Sequence, residues 1–381
     1  MAAVLRRHGA AYLATHSLSV VAARAWRAIL ACRTAALGGH VECCDACGTT
    51  RHVYHSCRNR HCPTCQTRAK EAWIAARRRE LLPVPYFHIV FTLPHALHPL
   101  VADHPRRLYE TLFAAASATL TEFAASARQL GGESAFTLVL HTWKQDLARH
   151  IHVHALVAGG ALTTSGEWVH PKRGFLFPVK ALSKVFRGKF VALIAEQRAA
   201  GKWPRIANGN DWRRLKTALY AHDWVVYAKA PLGGPEQVLE YLGRYTHRVA
   251  ISNERIVRID QANVAFRVRA DTTTGKKRTV SLPGTEFIRR FLLHVLPSGF
   301  KRIRHYGLLS PAHKTKRLSQ ARAALGAPTP DQALIESVMQ FMQRVAHIDA
   351  SVCPHCRHGH FVVCAALTPV RAPHAVSRGP P

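Results

Sequence analysis

Acidic residues are scarce in this chain beside its basic ones. Its 381 residues hold 22 Asp and Glu against 53 Lys and Arg, a formal net charge of +31 with 25 histidines counted as neutral. So few carboxylates count against a hydrolase built around an acidic pocket. The cation excess points to a polyanionic partner and away from an inert scaffold. Long apolar runs are missing as well. No stretch approaches the ~18–20 apolar residues that a membrane span needs. Residues 1–10 carry arginines without an apolar segment behind them, which argues against a secretory signal. There is no internal repeat and no long low-complexity run. What remains is a globular composition, 48% apolar and 20% charged, long enough for two or three domains.

The basic residues are spread along the chain: Arg77-Arg78-Arg79, Lys276-Lys277-Arg278, Arg289-Arg290, Lys301-Arg302-Ile303-Arg304 and Lys314-Thr315-Lys316-Arg317. That spread suits a long track of phosphates better than a single membrane-surface cluster. With no export signal, the ten cysteines are expected in a reducing compartment, where paired spacing means metal more often than disulfide.

Periodicity predicts a helix within residues 4–38, with Leu13, Val20, Ala23, Trp26 and Leu30 as its apolar stripe. A cysteine-rich segment follows at about 40–66, then a basic helix at 67–82 that stops before Pro83. Strands are predicted at 86–93, 135–142, 151–158 and 224–228, with a hairpin at 255–259 and 264–269. Helices are predicted at 105–130, 235–249 and 284–295. Strand and helix mix without a βαβα rhythm, so the fold class is α+β with an antiparallel sheet. The expected division is a helical, zinc-binding N-terminal domain (1–82), a central domain (83–310) and a basic C-terminal region (311–381) ending in a disordered tail.

Cys44-x2-Cys47 and Cys62-x2-Cys65 are fourteen residues apart. Two residues between cysteines let both sulfurs face one tetrahedral ion, and two such knuckles close a four-thiolate structural site. Cys57 and His61 lie between them and can replace an outer ligand, and Cys43 is a spare. The alternative is a set of buried thiols or a redox pair. Arg51, Arg58, Arg60 and Arg68 surround the segment, as a DNA-contacting module would require. Cys353-x2-Cys356 is half of another knuckle, for which His358, His360 and Cys364 are possible completing ligands, or else a metal-free turn.

On a strand through residues 149–157, side chains alternate, so His150, His152 and His154 share one face and Ile151, Val153 and Ala155 the other. Three imidazoles on an otherwise apolar strand are costly without partners. A divalent ion is one such partner, because neutral imidazole is a good ligand; structurally satisfied histidines are the alternative. On the helix opened by Pro235, Tyr241 and Tyr245 lie one turn apart on one face, with Arg244 and Arg248 beside them. Tyrosines so spaced are commonly core. This helix, however, is basic where a core helix is apolar. A phenol, with a pKa near ~10, can attack a phosphate whose charge a metal ion neutralises.

These motifs resemble a known family. His152-Val153-His154 is similar to the His-hydrophobic-His signature of HUH nucleases. Tyr241-Leu242-Gly243-Arg244-Tyr245 resembles the paired-tyrosine motif of rolling-circle transposases of the insertion sequence ninety-one type. The cysteine segment, with Cys57-Arg58-Asn59-Arg60-His61-Cys62-Pro63, and the stretch from Phe300 to Leu308 are also similar to that family, and the likeness covers roughly residues 5–315. It implies an HUH-type antiparallel sheet core flanked by helices, with an N-terminal zinc ribbon. It also implies Mg²⁺ or Mn²⁺ at His152 and His154, and structural Zn²⁺ at Cys44, Cys47, Cys62 and Cys65. Tyr241 and Tyr245 would form 5′-phosphotyrosine bonds with single-stranded or locally melted DNA at element ends, in the bacterial cytoplasm at the nucleoid. Gln145 is the preferred third ligand, with His150 as the alternative. Residue 151 is Ile where relatives often carry Pro.

Two other functions compete: a plasmid initiator or relaxase with the same chemistry, and a non-enzymatic zinc-containing DNA-binding regulator. A carboxylate-triad transposase is disfavoured because acidic residues are few and no convergent set stands out.

Overall fold

In the computed structural model, the described residues are 1–172, 175–232, 237–238, 243, 250–270, 275–329, 337, 340, 342–344 and 347–370. In chain order the elements are α1 (Ala2–Leu13), α2 (Val20–Ala31), β1 (Gly39–Cys44), β2 (Thr50–Tyr54), α3 (Gln66–Arg78), β3 (Tyr86–Thr92), α4 (His98–Asp103), α5 (Pro105–Ala125), β4 (Ala135–Trp143) and β5 (Arg149–Ala158). Then come β6 (Ala161–Leu162), β7 (Trp168–Val169), α6 (Val179–Ala199), α7 (Gly209–Tyr220), β8 (Val226–Leu232), β9 (Ile256–Ile259), β10 (Asn263–Arg269), β11 (Lys277–Pro283), α8 (Gly284–Leu292), β12 (Ile303–Gly307), α9 (Lys314–Ala324) and β13 (Phe361–Leu367).

The single helix expected at 4–38 is two helices. The Ser19 hydroxyl accepts a hydrogen bond from the Ala22 amide and caps a new start, a role for which serine is well suited. The expected stripe moves with the break: Ala22, Ala25, Trp26 and Ile29 are buried, whereas Leu13 and Val20 are exposed.

The chain divides into two compact units, and neither is a continuous segment. One comprises Met1–Ala69, Ile251–Val295 and the described part of Gln332–Pro381; the other comprises Lys70–Ala250 and Leu296–Asp331. The expected consecutive domains (1–82, 83–310, 311–381) are therefore not the units of the fold. The physical reason is pairing within the first unit: β13 hydrogen-bonds to β1, and α8 packs on α1. Gly284 makes that helix pairing possible, since a Cβ there would lie 2.1 Å from Cγ of the buried His8. The first unit carries the sheets β13-β1-β2 and β11-β10-β9.

The second unit is built on an antiparallel sheet of order β12-β4-β5-β3-β8, so β5 is its central strand. One face presents Phe87, Ile89, Phe91, Phe136, Leu138, Leu140, Ile151 and Val153 to α5 and α6, where Phe113, Phe186 and Phe190 complete the core. Removing one of these buried phenylalanines would cost about 3–5 kcal/mol. The opposite face presents Tyr86, Val139, Leu156 and Ala158 to Leu318 and Ala321 of α9 and to Val238. The alternation that faces one set of side chains to the α5–α6 layer turns the histidines of β5 toward this second face.

Gly307 closes β12 with φ +59, and an added Cβ would meet the Ser134 carbonyl oxygen at 1.8 Å. Gly307→Ala is therefore expected to destabilise the protein by more than about 1 kcal/mol. Its urea midpoint should fall; an unchanged midpoint would show that the β12–β4 end tolerates a side chain. No described helix is long and apolar enough to cross a membrane.

Candidate metal centre

Antiparallel pairing sets His141 of β4 directly opposite His152 of β5. His154 follows on the same face, and His88 of β3 stands one position further along. The ring nitrogens that His141, His152 and His154 could offer a metal ion all lie within 4.8 Å of one another. Nε2 of His152 and Nε2 of His154 are 3.0 Å apart. Two nitrogens each about 2.1 Å from one ion, at right angles, would be about 3.0 Å apart. All three side chains are buried.

The surroundings set which nitrogen is free. Nδ1 of His152 is 3.0 Å from the His150 carbonyl oxygen. A carbonyl can only accept, so Nδ1 donates and Nε2 keeps its lone pair. Nδ1 of His154 is 2.8 Å from Nε2 of His88. With His154 donating, its Nε2 likewise keeps a lone pair and faces Nε2 of His152. Burial pushes the His152 imidazole down to about 3 and holds His154 well below the usual histidine range. Burial takes His88 to about 4. The imidazoles are thus neutral at physiological pH, the form that binds a metal.

His88→Ala is expected to leave the three ligands in place but free to rotate, weakening Mn²⁺ binding about 10–100-fold. Calorimetric titration of Mn²⁺ checks this, and an unchanged affinity would remove His88 from the site.

Gln145, the expected third ligand, lies exposed in the turn between β4 and β5. The buried third imidazole beside the pair is His141. His150 precedes the pair on β5 but is absent from the cluster and is tied to it through its backbone carbonyl. The sequence signal for His141 was parity: an imidazole on a neighbouring strand whose antiparallel partner is itself His152. That signal needs the hairpin register, which the sequence alone did not supply.

The cysteines divide in a way the spacing did not predict. Cys44 and Cys47 gather with Cys353 and Cys356, while Cys62 and Cys65 gather with Cys32 and Cys57. In the latter set, Sγ of Cys65 is 3.5 Å from that of Cys32 and 3.6 Å from that of Cys57. The single site expected from Cys44, Cys47, Cys62 and Cys65 does not form. Strand geometry is the reason. Cys44 and Cys47 sit at the turn of the β1–β2 hairpin, and Tyr54 pairs with Gly39 at its far end. At about 3.4 Å per residue the two ends of the hairpin are about 17 Å apart, and it is at the far end that Arg33, next to Cys32, hydrogen-bonds to His55. Cys43 and Cys364 are bonded to each other as a disulfide, so Cys364 does not complete the C-terminal knuckle.

The family model described as "Transposase zinc-binding domain" matches residues 4–93, and one described as "Putative transposase" matches residues 135–317. A curated relative from Sinorhizobium fredii, "Putative transposase y4qJ", is 42% identical over 98% of this chain and 96% of its own length. The chain belongs to the transposase family of the insertion sequence ninety-one type. A second relative, from Pseudomonas savastanoi pv. phaseolicola, is named "Transposase for insertion sequence element IS801". It is 28% identical over 79% of this chain and 73% of its own. Among solved structures, the conjugative relaxase TrwC in complex with OriT DNA is similar at 13% identity with a TM-score of 0.23, covering 55% of this chain and 86% of that one.

In this transposase the zinc-binding match contains Cys32, Cys57, Cys62 and Cys65 but not Cys353 or Cys356. The fold is α+β, with an antiparallel sheet carrying the His-x-His pair on its central strand. Arg58 and Arg60 lie in the loop bearing Cys57 and Cys62, Arg58 exposed and Arg60 half-buried. Tyr241, Tyr245, Arg244 and Arg248 lie outside the described residues. Of the described residues in this stretch, Val238 is buried in the cluster on the histidine face of the sheet, and a Cβ added at Gly243 would lie 2.4 Å from Cδ1 of Ile74 in α3.

Proposed function

We propose that the chain cuts and rejoins single-stranded DNA at the ends of a mobile element by tyrosine attack assisted by a divalent ion. The observation that carries this is the set of three buried imidazoles on adjacent strands in a transposase family member. His141, His152 and His154 would hold Mn²⁺ or Mg²⁺, with the remaining positions open to water and phosphate oxygens. That ion, when bound, supplies positive charge to the scissile phosphate.

The chain's own residues do the rest. The oxygen of Tyr241 or Tyr245 attacks phosphorus and gives up its proton to solvent. A bond from phosphorus to the phenolic oxygen forms and the bond to the 3′ oxygen breaks, which leaves a 5′-phosphotyrosine and a free 3′-hydroxyl. Two tyrosines let one end stay covalently held while a second strand is cut. Rejoining is the reverse attack by a 3′-hydroxyl. Arg58, Arg60, Arg244 and Arg248 contribute cations toward the DNA backbone. Cys32, Cys57, Cys62 and Cys65 would hold a structural zinc that folds the loop presenting Arg58 and Arg60. Burial and a hydrogen-bonding partner act on these thiols: the Cys57 thiol beside Cys62 draws the latter down to about 5. The place of action is the nucleoid in the bacterial cytoplasm.

The test is direct. Protein, Mn²⁺ and labelled single-stranded DNA carrying an element end should give a protein–DNA adduct on a denaturing gel, and chelation should abolish it. No adduct with any element end would favour the DNA-binding regulator. Binding should also weaken steeply with salt. With several phosphates neutralised, affinity should drop by about 10³-fold or more between 50 and 200 mM salt, by the counterion-release slope. A flat dependence would contradict a polyanion-binding surface.

A further inference from the structure

We infer that the two ends of the chain build a second four-thiolate zinc site, from Cys44 and Cys47 on the β1–β2 hairpin and Cys353 and Cys356 just before β13. All four Sγ atoms lie within 4.8 Å of one another. Cys44 Sγ is 3.6 Å from Cys356 Sγ, and Cys47 Sγ is 3.8 Å from Cys353 Sγ. A tetrahedron of thiolates with metal–sulfur bonds of about 2.3 Å has edges of about 3.8 Å. The contacts are therefore those of ligands around one ion, well beyond a sulfur–sulfur bond.

The backbone supports the same conclusion. Each half of the site is a Cys-x2-Cys turn followed by a residue in the left-handed region: Gly48 at φ +69 and Arg357 at φ +65. In each, the amide of that residue donates to the carbonyl of the first cysteine, Gly48 to Cys44 at 3.0 Å and Arg357 to Cys353 at 2.8 Å. The two turns are thus built alike although they are about 300 residues apart in the chain. They are also stitched together. The Asp45 amide donates to the His360 carbonyl at 3.0 Å, and the His360 amide donates to the Asp45 carboxylate at 2.7 Å.

Gly359 completes the cradle. Its amide donates to Cys356 Sγ at 3.3 Å, as expected for a sulfur that carries negative charge. A Cβ at this position would lie 2.4 Å from Cys44 Sγ, so only glycine lets the chain pass so close to the sulfurs. Four sulfurs brought together in this way repel one another as thiolates and gain little as thiols; a divalent cation resolves both. The lone C-terminal knuckle is thereby explained, since its missing half is at the other end of the chain.

The site's role is mechanical. It fixes β13 onto β1 and makes the C-terminal segment a structural part of the N-terminal unit. This is independent of the DNA chemistry proposed above, and so is its test. The full chain, carrying His141→Ala, His152→Ala and His154→Ala to silence the imidazole site, is purified with zinc and titrated with an organomercurial. Two zinc ions per chain should be released. Cys353→Ser with Cys356→Ser should release one. Cys57→Ser with Cys65→Ser should also release one, and should leave the Cys44 site filled. The conservative Cys356→His should keep two, which distinguishes ligand loss from misfolding. Cys43→Ser with Cys364→Ser should keep two, because those sulfurs are not ligands. One zinc in the parent chain, or an unchanged count after Cys353→Ser with Cys356→Ser, would overturn the inference.

Discussion

Changing both Tyr241 and Tyr245 to phenylalanine is expected to eliminate the covalent protein–DNA adduct and lower strand cleavage by at least about 10³-fold. Affinity for single-stranded DNA should change by less than about twofold, because the rings, the arginines and the net charge all remain. Each single change should leave one cutting event intact but abolish strand exchange, which needs two covalently held ends. The control that discriminates is Tyr227→Phe. Tyr227 is 54% exposed on edge strand β8 and pairs with Val90, which itself pairs with His154, so its phenol shares the histidine face. It is expected to retain the adduct. Tyr86 and Tyr109 are poor alternatives: both are buried, and burial raises each to about 12. An adduct that survives the double change but disappears with Tyr227→Phe would relocate the nucleophile to β8.

Single alanine changes at His141, His152 or His154 are expected to cut cleavage by about 10²–10³-fold and to weaken Mn²⁺ binding, with DNA binding preserved. The three side chains are buried, and burial keeps His152 and His154 neutral, so their removal takes away a cation site without touching the positive surface that holds the backbone. The instructive comparison is Gln145→Ala. Gln145 lies exposed in the hairpin turn, and its change should alter cleavage by less than about threefold. Parallel titrations of Mn²⁺ and of DNA on the four variants check both halves. Equal loss of DNA binding in the histidine variants would make these residues structural, and a Gln145 effect as large as that of His141 would restore the amide as a ligand.

Much of the catalytic unit was legible because its signals are local. The β-branched and aromatic run at 86–93 marks a strand, and on the strand expected at 151–158 a period of two by itself places His152 and His154 on one face. The remaining errors share one cause, which is pairing between residues distant in sequence. His141 joins the histidine cluster only through the register that sets it opposite His152. Cys32 stands alone at the end of α2, with no second cysteine within reach to mark it, and the fourteen-residue gap between two neat knuckles suggested a site that hairpin length forbids. The same kind of distance hid β13 on β1 and the Cys43–Cys364 bridge, a pairing that no local spacing marks. Consecutive domain boundaries failed for that reason too: a chain whose ends meet in one sheet cannot be divided by reading along it.

The central claim is that imidazoles of one sheet and phenols of one short segment act on the same phosphate. Its most direct test is to trap the adduct with Mn²⁺ and single-stranded DNA, digest it with protease and nuclease, and map the residual nucleotide by mass spectrometry. The expected result is a nucleotide attached through phosphate to Tyr241 or Tyr245, formed only when His141, His152 and His154 are intact. A nucleotide attached elsewhere, or the same attachment formed equally well after those histidines are replaced, would contradict the account.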